Sequence, residues 1–284
     1  MPKLCILTPD PDDESFQGRW REVFGRMADP LSGAGAELEG RAWTDPGDLS
    51  GFDLVLPLMT WGYHRDHARW LEATHAWEAA GLPVMNPPSV LRWNSDKSYL
   101  QRLGEAGAPA VPTLHVDGVD AVALDQARAR FGVGSLVVKP AVSASAYRTL
   151  RLGPGDPLDG APDGAAMVQP YLPAIETDGE TSLIFLGGRF SHAIRKVAKP
   201  GDFRVQPEWG GLISAVEPSA AEHDAAAAIL KAVEEPLLYA RIDLVPGLDG
   251  RPLMMEAELI EPDLYLGYDE GAPRRFAQAV LGGI

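Results

Sequence analysis

The chain predicts an α/β protein in which an open N-terminal sheet with covering helices is followed by two lobes of mixed α+β character. Three observations carry this expectation. Strand and helix patterns alternate through roughly the first ninety residues. The rest of the chain is strand-rich, with single helices set between the strands. At 284 residues it exceeds one ordinary domain, and 45% hydrophobic residues can fill several cores.

Residues 3–8 form a short apolar strand, and Trp20, Val23, Phe24 and Met27 then recur at helical spacing. Strands at 37–43, 54–59 and 83–85 surround a helix over 64–80, completing an N-terminal unit assigned to residues 1–93. Pro87-Pro88 punctuates the chain, and Asn94-Ser95-Asp96-Lys97 opens a helix carrying Tyr99, Leu100 and Leu103. Strands at 113–116 and 135–139 flank a helix rich in Ala and Arg, and 140–146 is a loop of small residues. Strands at 147–152 and 166–169 close a second unit, residues 94–169. The third, 170–284, has strands at 181–185, 190–197, 239–245 and 253–259 and an Ala-rich helix over 220–233.

A formal charge of −15 repels phosphate backbones, and no Lys/Arg-rich run offsets it locally, so no nucleic-acid partner is expected. No apolar run approaches membrane-spanning length and no leader pattern opens the chain, which predicts a cytoplasmic protein with no membrane partner. Cys5 is the only cysteine, excluding an intrachain disulfide or a cysteine zinc site, and its apolar surroundings predict core packing. Oligomeric state is not legible, and a homodimer stays open.

The segments 239–245 and 253–259, joined by a turn-rich stretch, read as an antiparallel hairpin. Period-two alternation puts Arg241 and Asp243 on one face of the first strand and Glu256 and Glu258 on one face of the second. Carboxylates a few ångströms apart in a partly buried sheet need a cation, and an oxygen-only set suits Mg²⁺. The same alternation also describes the solvated face of an ordinary hairpin. Lys139 ends the apolar run Leu136-Val137-Val138 and precedes the small-residue loop, whose main-chain N–H groups could approach phosphate oxygens; a snorkelling surface lysine fits the same position. Lys97, at a helix start, opposes the helix dipole and is either surface decoration or placed for a ligand. Gln169-Pro170-Tyr171-Leu172-Pro173 has two prolines that stiffen a backbone of the kind that reads a purine, or simply connects strands. Arg195, Lys196 and Lys199 lead into the segment holding Arg204, a cationic stretch able to clamp a phosphoryl group. His64 and His67 lack a third ligand for zinc, and no Gly-x-Ser-x-Gly elbow, Walker loop or dinucleotide fingerprint occurs.

Taken in order, Asn94-Ser95-Asp96-Lys97, Leu136 to Pro140, Met167 to Tyr171, Gly179-Glu180, Asp202-Phe203-Arg204, Arg241-Ile242-Asp243 and Met255 to Glu258 resemble the ATP-grasp superfamily. The order and spacing are most similar to the glutathione synthetase-type branch. The run Glu258-Leu259-Ile260-Glu261-Pro262-Asp263-Leu264-Tyr265 resembles the O-ureidoserine cyclo-ligases of cycloserine biosynthesis. The resemblance implies an ATP-grasp fold behind an N-terminal α/β domain. It also implies an ATP-dependent ligase that joins a small-molecule carboxylate to an amine through an acyl phosphate.

By the same resemblance, Lys97 and Lys139 contact ATP phosphates, with Ser143 and Ser145 in the loop above them. Gln169, Tyr171 and Leu172 line the adenine, and Glu176 or Glu180 holds ribose. Asp243, Glu256 and Glu258 bind Mg²⁺, with Mn²⁺ as an alternative, while Arg204 and Arg241 face the transferred phosphoryl group. The chain departs from the family where Glu258 replaces a common Asn and where the phosphate loop lacks glycines. A nucleotide-binding regulatory protein without ligase activity is the second reading. A metal-dependent hydrolase is a third, opposed by the two lysines and the Gln169 segment.

Overall fold

The computed structural model describes residues 1–16, 18–144, 147–199, 205 and 210–284. The N-terminal lobe contains β1 (Lys3–Thr8), α1 (Arg19–Gly33), β2 (Glu37–Ala42), β3 (Leu54–Leu56) and α2 (His67–Ala79). Its three strands are parallel in the order β2-β1-β3. Leu4, Cys5, Ile6 and Leu7 are all fully buried, which explains why β1 is a continuous apolar run: a parallel strand covered on both faces has no solvent side. Burial pushes the Cys5 thiol up to about 12, in keeping with the core position expected for it.

The chain then runs through α3 (Pro88–Asn94) and α4 (Tyr99–Glu105) into the second sheet. That sheet holds β4 (Leu114–Val116), β5 (Leu136–Pro140), β6 (Leu150–Leu152) and β7 (Ala166–Pro170), with α5 (Ala121–Phe131) packed on it. The strands are antiparallel in the order β4-β7-β5-β6. The last part contains α6 (Ala174–Thr177), β8 (Glu180–Leu186), β9 (Arg189–Val197), β10 (Leu212–Ala215), α7 (Ala220–Val233), β11 (Tyr239–Pro246), β12 (Pro252–Glu258) and α8 (Ala272–Leu281). Its antiparallel sheet has the order β10-β9-β8-β11-β12. Helix α7 opens with a capping box: Ser219 accepts from the Glu222 N–H at 3.3 Å, and the Glu222 carboxylate accepts from the Ser219 N–H at 2.7 Å.

Several expected elements change shape. The helix over 64–80 begins only at His67, because Asp66 caps it by accepting from the Arg69 N–H, and Tyr63–Arg65 form a separate 3₁₀ turn. The strand over 83–85 shrinks to one parallel bridge between Val55 and Val84. Pro88, read as punctuation, is the first residue of α3, where the missing proline N–H costs nothing. The strand over 147–152 forms only from Leu150. Neither β10 nor α8 was expected; β10 has no apolar alternation to announce it, since Leu212, Ser214 and Ala215 are exposed.

Two buried asparagines join the N-terminal part of the chain to the hairpin of β11 and β12. Asn86, fully buried, donates to the carbonyls of Tyr239 (2.9 Å) and Leu259 (2.7 Å) and accepts from the Leu238 N–H (2.8 Å). Asn94 donates to the Ala257 carbonyl (2.8 Å) and accepts from the Leu259 N–H (3.0 Å). These bonds satisfy main-chain groups at the start of β11, along β12 and just beyond its end. Asn86→Ala should cost about 3 kcal/mol in urea unfolding, since it strands buried donors and acceptors. Val122→Ala on the exposed side of α5 should stay within about 0.5 kcal/mol.

Candidate active site

The hairpin register brings the expected side chains together. Arg241 lies opposite Glu258 and Asp243 opposite Glu256, so all four share one face. Immediately beyond, the register shifts between Asp243 and Leu244. A bulge at this point ends the regular ladder beside the polar cluster, a common position for one near a site. On the other side of β11, Ser182 of β8 is paired with Asp243, and Lys196 of β9 is paired with Glu180.

These side chains form a buried charge network. Asp243 is 2% exposed and accepts from Ser182 Oγ (2.6 Å), Lys196 Nζ (3.2 Å), Arg241 Nε (3.0 Å) and Arg241 Nη2 (3.0 Å). Arg241 also reaches Glu258, Lys196 reaches Glu180, and Lys97 reaches Glu256. Burial opposes the charge on Asp243, but Arg241 and Lys196 outweigh it and hold the carboxyl well below its usual range. For Glu180 and Glu258 burial wins over the neighbouring cations and pushes both up to about 7. Partial burial opposes the charge on Glu256 as well, but Lys97 brings its carboxyl down.

The hairpin face forms part of a cleft of about 340 Å³ that also takes in residues from the N-terminal lobe and the four-stranded sheet. Lys139 at the end of β5 projects into it. Its ammonium lies 3.3 Å from the Met255 sulfur and has no ion-pair partner among the described residues, and burial lowers its pKa. Ser143 also lines the cleft and donates to the Pro140 carbonyl at 3.4 Å. Gln169, 1% exposed, donates to Thr113 Oγ1 at 3.0 Å; Tyr171 and Leu172 line the same wall. The Gln169 segment is therefore the end of β7 running into α6, with the Tyr171 N–H donating to Ser135, rather than a free connection.

Of the two glutamates expected near ribose, Glu180 lines the cleft but is held by Lys196. Glu176 is not among the cleft-lining residues; its carboxylate accepts from the Tyr171 hydroxyl and pairs with Arg151. Arg204 and Ser145 lie outside the described residues. Lys196 was visible in the sequence only as part of a cationic strand; its role as counter-ion to Asp243 depends on the pairing of β8, β9 and β11, which no local pattern encodes.

Asp243, Glu256 and Glu258 supply the hard oxygen donors that suit Mg²⁺. Among the described residues, however, no three His, Cys, Asp or Glu side chains converge closely enough to hold an ion, because Arg241 and Lys97 take up the carboxylate oxygens. The donors differ in access. The side chains of Glu256 and Glu258 are 31% and 30% exposed and face the cleft, whereas Asp243 is enclosed by four donors. Asp243→Ala, which leaves Arg241 and Lys196 short of a shared counter-ion, should destabilise the protein by about 3–5 kcal/mol in urea unfolding.

Comparison with known proteins follows this geometry. A family model described as the N-terminal domain of D-cycloserine synthetase DcsG matches residues 5–86. The cycloserine biosynthesis protein DcsG of Streptomyces lavendulae is 32% identical over 263 residues, covering 82% of this chain and 84% of that protein. The crystal structure of D-cycloserine synthetase DcsG superimposes with a TM-score of 0.84 at 28% identity, covering 99% of each chain. The ATP-grasp ligase PsnB, complexed with a minimal precursor, shares the fold with a TM-score of 0.67 at 18% identity, covering 100% of this chain and 99% of its own.

Proposed function

The chain belongs to the DcsG family of ATP-grasp ligases, and on that premise we propose that its cleft activates the carboxylate of a small amino-acid-like substrate as an acyl phosphate and joins it to an amine. ADP and phosphate are the other products. The amine belongs to the same molecule as the carboxylate, so the reaction closes a ring, as the name cycloserine synthetase describes for the relative.

The observation that carries this reading is Lys139. Lys97, Lys196 and Arg241 each have a carboxylate partner, whereas Lys139 is a buried-stem cation facing the cleft with none among the described residues. A polyphosphate supplies the missing anion. Lys97 lines the same cleft, bound to Glu256, and would join the phosphate contacts if that carboxylate held a metal instead. Ser143 and Ser145 belong to the loop that follows Lys139, and Gln169, Tyr171 and Leu172 form the wall assigned to adenine. Glu180 is assigned to the ribose side in preference to Glu176, which points elsewhere.

Mg²⁺ is assigned to Glu256 and Glu258, the two accessible carboxylates, and Mn²⁺ fits the same donors. Asp243 completes the set when Arg241 withdraws from it; otherwise it acts as the counter-ion that fixes Arg241 and Lys196. The metal supplies neutralisation of phosphate charge. Arg241 lines the cleft, where it offsets charge that develops on the transferring group, the role that the sequence resemblance also implies for Arg204. The cleft walls keep water from the acyl phosphate.

Calorimetric titration with a non-hydrolysable ATP analogue should show magnesium-dependent binding, weakened about tenfold or more in Lys139→Ala; no binding by the folded wild-type protein overturns the nucleotide assignment. With O-ureidoserine as substrate, Glu256→Gln should lower kcat for ADP release by about 100-fold or more at unchanged fold, and an unaltered rate removes Glu256 from the metal site.

A further inference from the structure

Among the described residues six carboxylates line the cleft, and their partners differ in a telling way. Glu180, Asp243, Glu256 and Glu258 are each paired with an internal lysine or arginine. Asp263 accepts from the Tyr265 N–H at 2.9 Å. Glu261 has no hydrogen bond or ion pair among the described residues. It follows the buried pair Leu259-Ile260 and precedes Pro262, at the exit of β12 and beyond the metal-side glutamates.

Among the described residues, the cations around Glu261 already have carboxylate partners. The charged and titratable groups that face it are Glu256 and Glu258 of β12, Arg241 and Tyr239 of β11, Lys97 ahead of α4, and Tyr63 of the N-terminal lobe. Arg241 is committed to Asp243 and Glu258, and Lys97 to Glu256. The Tyr239 hydroxyl donates to the Ile260 carbonyl. His64, which lines the same cleft, is kept neutral because burial pushes it down to about 4, and its buried Nδ1 has no partner. An unpaired carboxylate among other carboxylates in a partly buried wall is costly unless something brings a positive charge to it. Burial and the neighbouring Glu258 accordingly push the Glu261 carboxyl well above its usual range.

We infer that the Glu261 carboxylate binds the protonated amino group of an α-amino-acid substrate, and so sets the specificity of the acceptor end of the cleft for substrates that carry a free ammonium. The inference rests on the ligase reading and deepens it. A primary ammonium fits because it is compact, brings one charge and donates up to three hydrogen bonds. One of these goes to Glu261, which lines the cleft without a partner of its own. The ammonium need not be the group that reacts: it holds the substrate so that the carboxylate of the same molecule lies toward Lys139 and the phosphate site. A metal ion is the other cation that could satisfy Glu261, and acetylation of the substrate amine separates the two.

The test titrates O-ureidoserine and its N-acetyl derivative into the full chain saturated with Mg²⁺ and a non-hydrolysable ATP analogue, for wild type and Glu261→Gln. Acetylation should weaken binding to wild type by about 10- to 100-fold, and by no more than about twofold in the variant. ATP-analogue binding, measured in the same samples, should be equal in the two proteins and reports on their fold. Equal binding of both compounds to wild type, a full acetylation penalty that persists in the variant, or no binding of O-ureidoserine to nucleotide-loaded wild type overturns the assignment. A variant that changes only the magnesium dependence would assign Glu261 to a metal and overturn it as well. Loss of the ATP-analogue signal in wild type would instead sink the ligase reading beneath it.

Discussion

Burying Asp243 between Arg241, Lys196 and Ser182 ties three strands of the five-stranded sheet to one register. A carboxylate with almost no solvent access is tolerated only when its oxygens are fully engaged, and here four donors from three adjacent strands converge on them. A shift of one residue in β8, β9 or β11 would turn the matching side chain to the opposite face and leave charge without a partner. The network thus couples strand register to the placement of the functional side chains.

Apolar packing supplies the rest of the frame and separates the cleft from solvent on its far sides. The five-stranded sheet buries one face under α7 and α4, while β8 and β11 also share a core with the N-terminal sheet and α8. The polar face of the same strands remains for the cleft. Its arrangement departs from overall composition: a chain with net charge −15 places Lys97, Lys139, Lys196 and Arg241 in one cavity. Those cations are set against the carboxylates of the same cavity at short range, so the local field there differs from what the net charge of the chain suggests.

Much of this was legible in the sequence where local pattern and tertiary environment agree. The β1 strand with its apolar centre, the Ala-rich α7 and the alternation of β11 and β12 were each read at nearly their observed extent. The shared face of Arg241, Asp243, Glu256 and Glu258 followed from period two alone. What could not be read was which charge would meet which. The pairing of Lys196 with Asp243 spans forty-seven positions and depends on strand order, and Arg241 occupies carboxylate oxygens that the sequence assigns to Mg²⁺. Short elements fared worst: β10 lacks a buried face, and α3 was hidden because Pro88 marks a helix start as readily as a break.

The asparagine joints have a consequence for how such a protein diversifies. Asn86 and Asn94 bond almost entirely to peptide groups, so the attachment of residues 86–94 to the hairpin is indifferent to the side chains that β11 and β12 display. Mutations that refit the pocket to a new molecule need not loosen the joint that holds it. A scaffold divided in this way is evolvable: its recognition surface can drift while its mechanical frame is inherited unchanged.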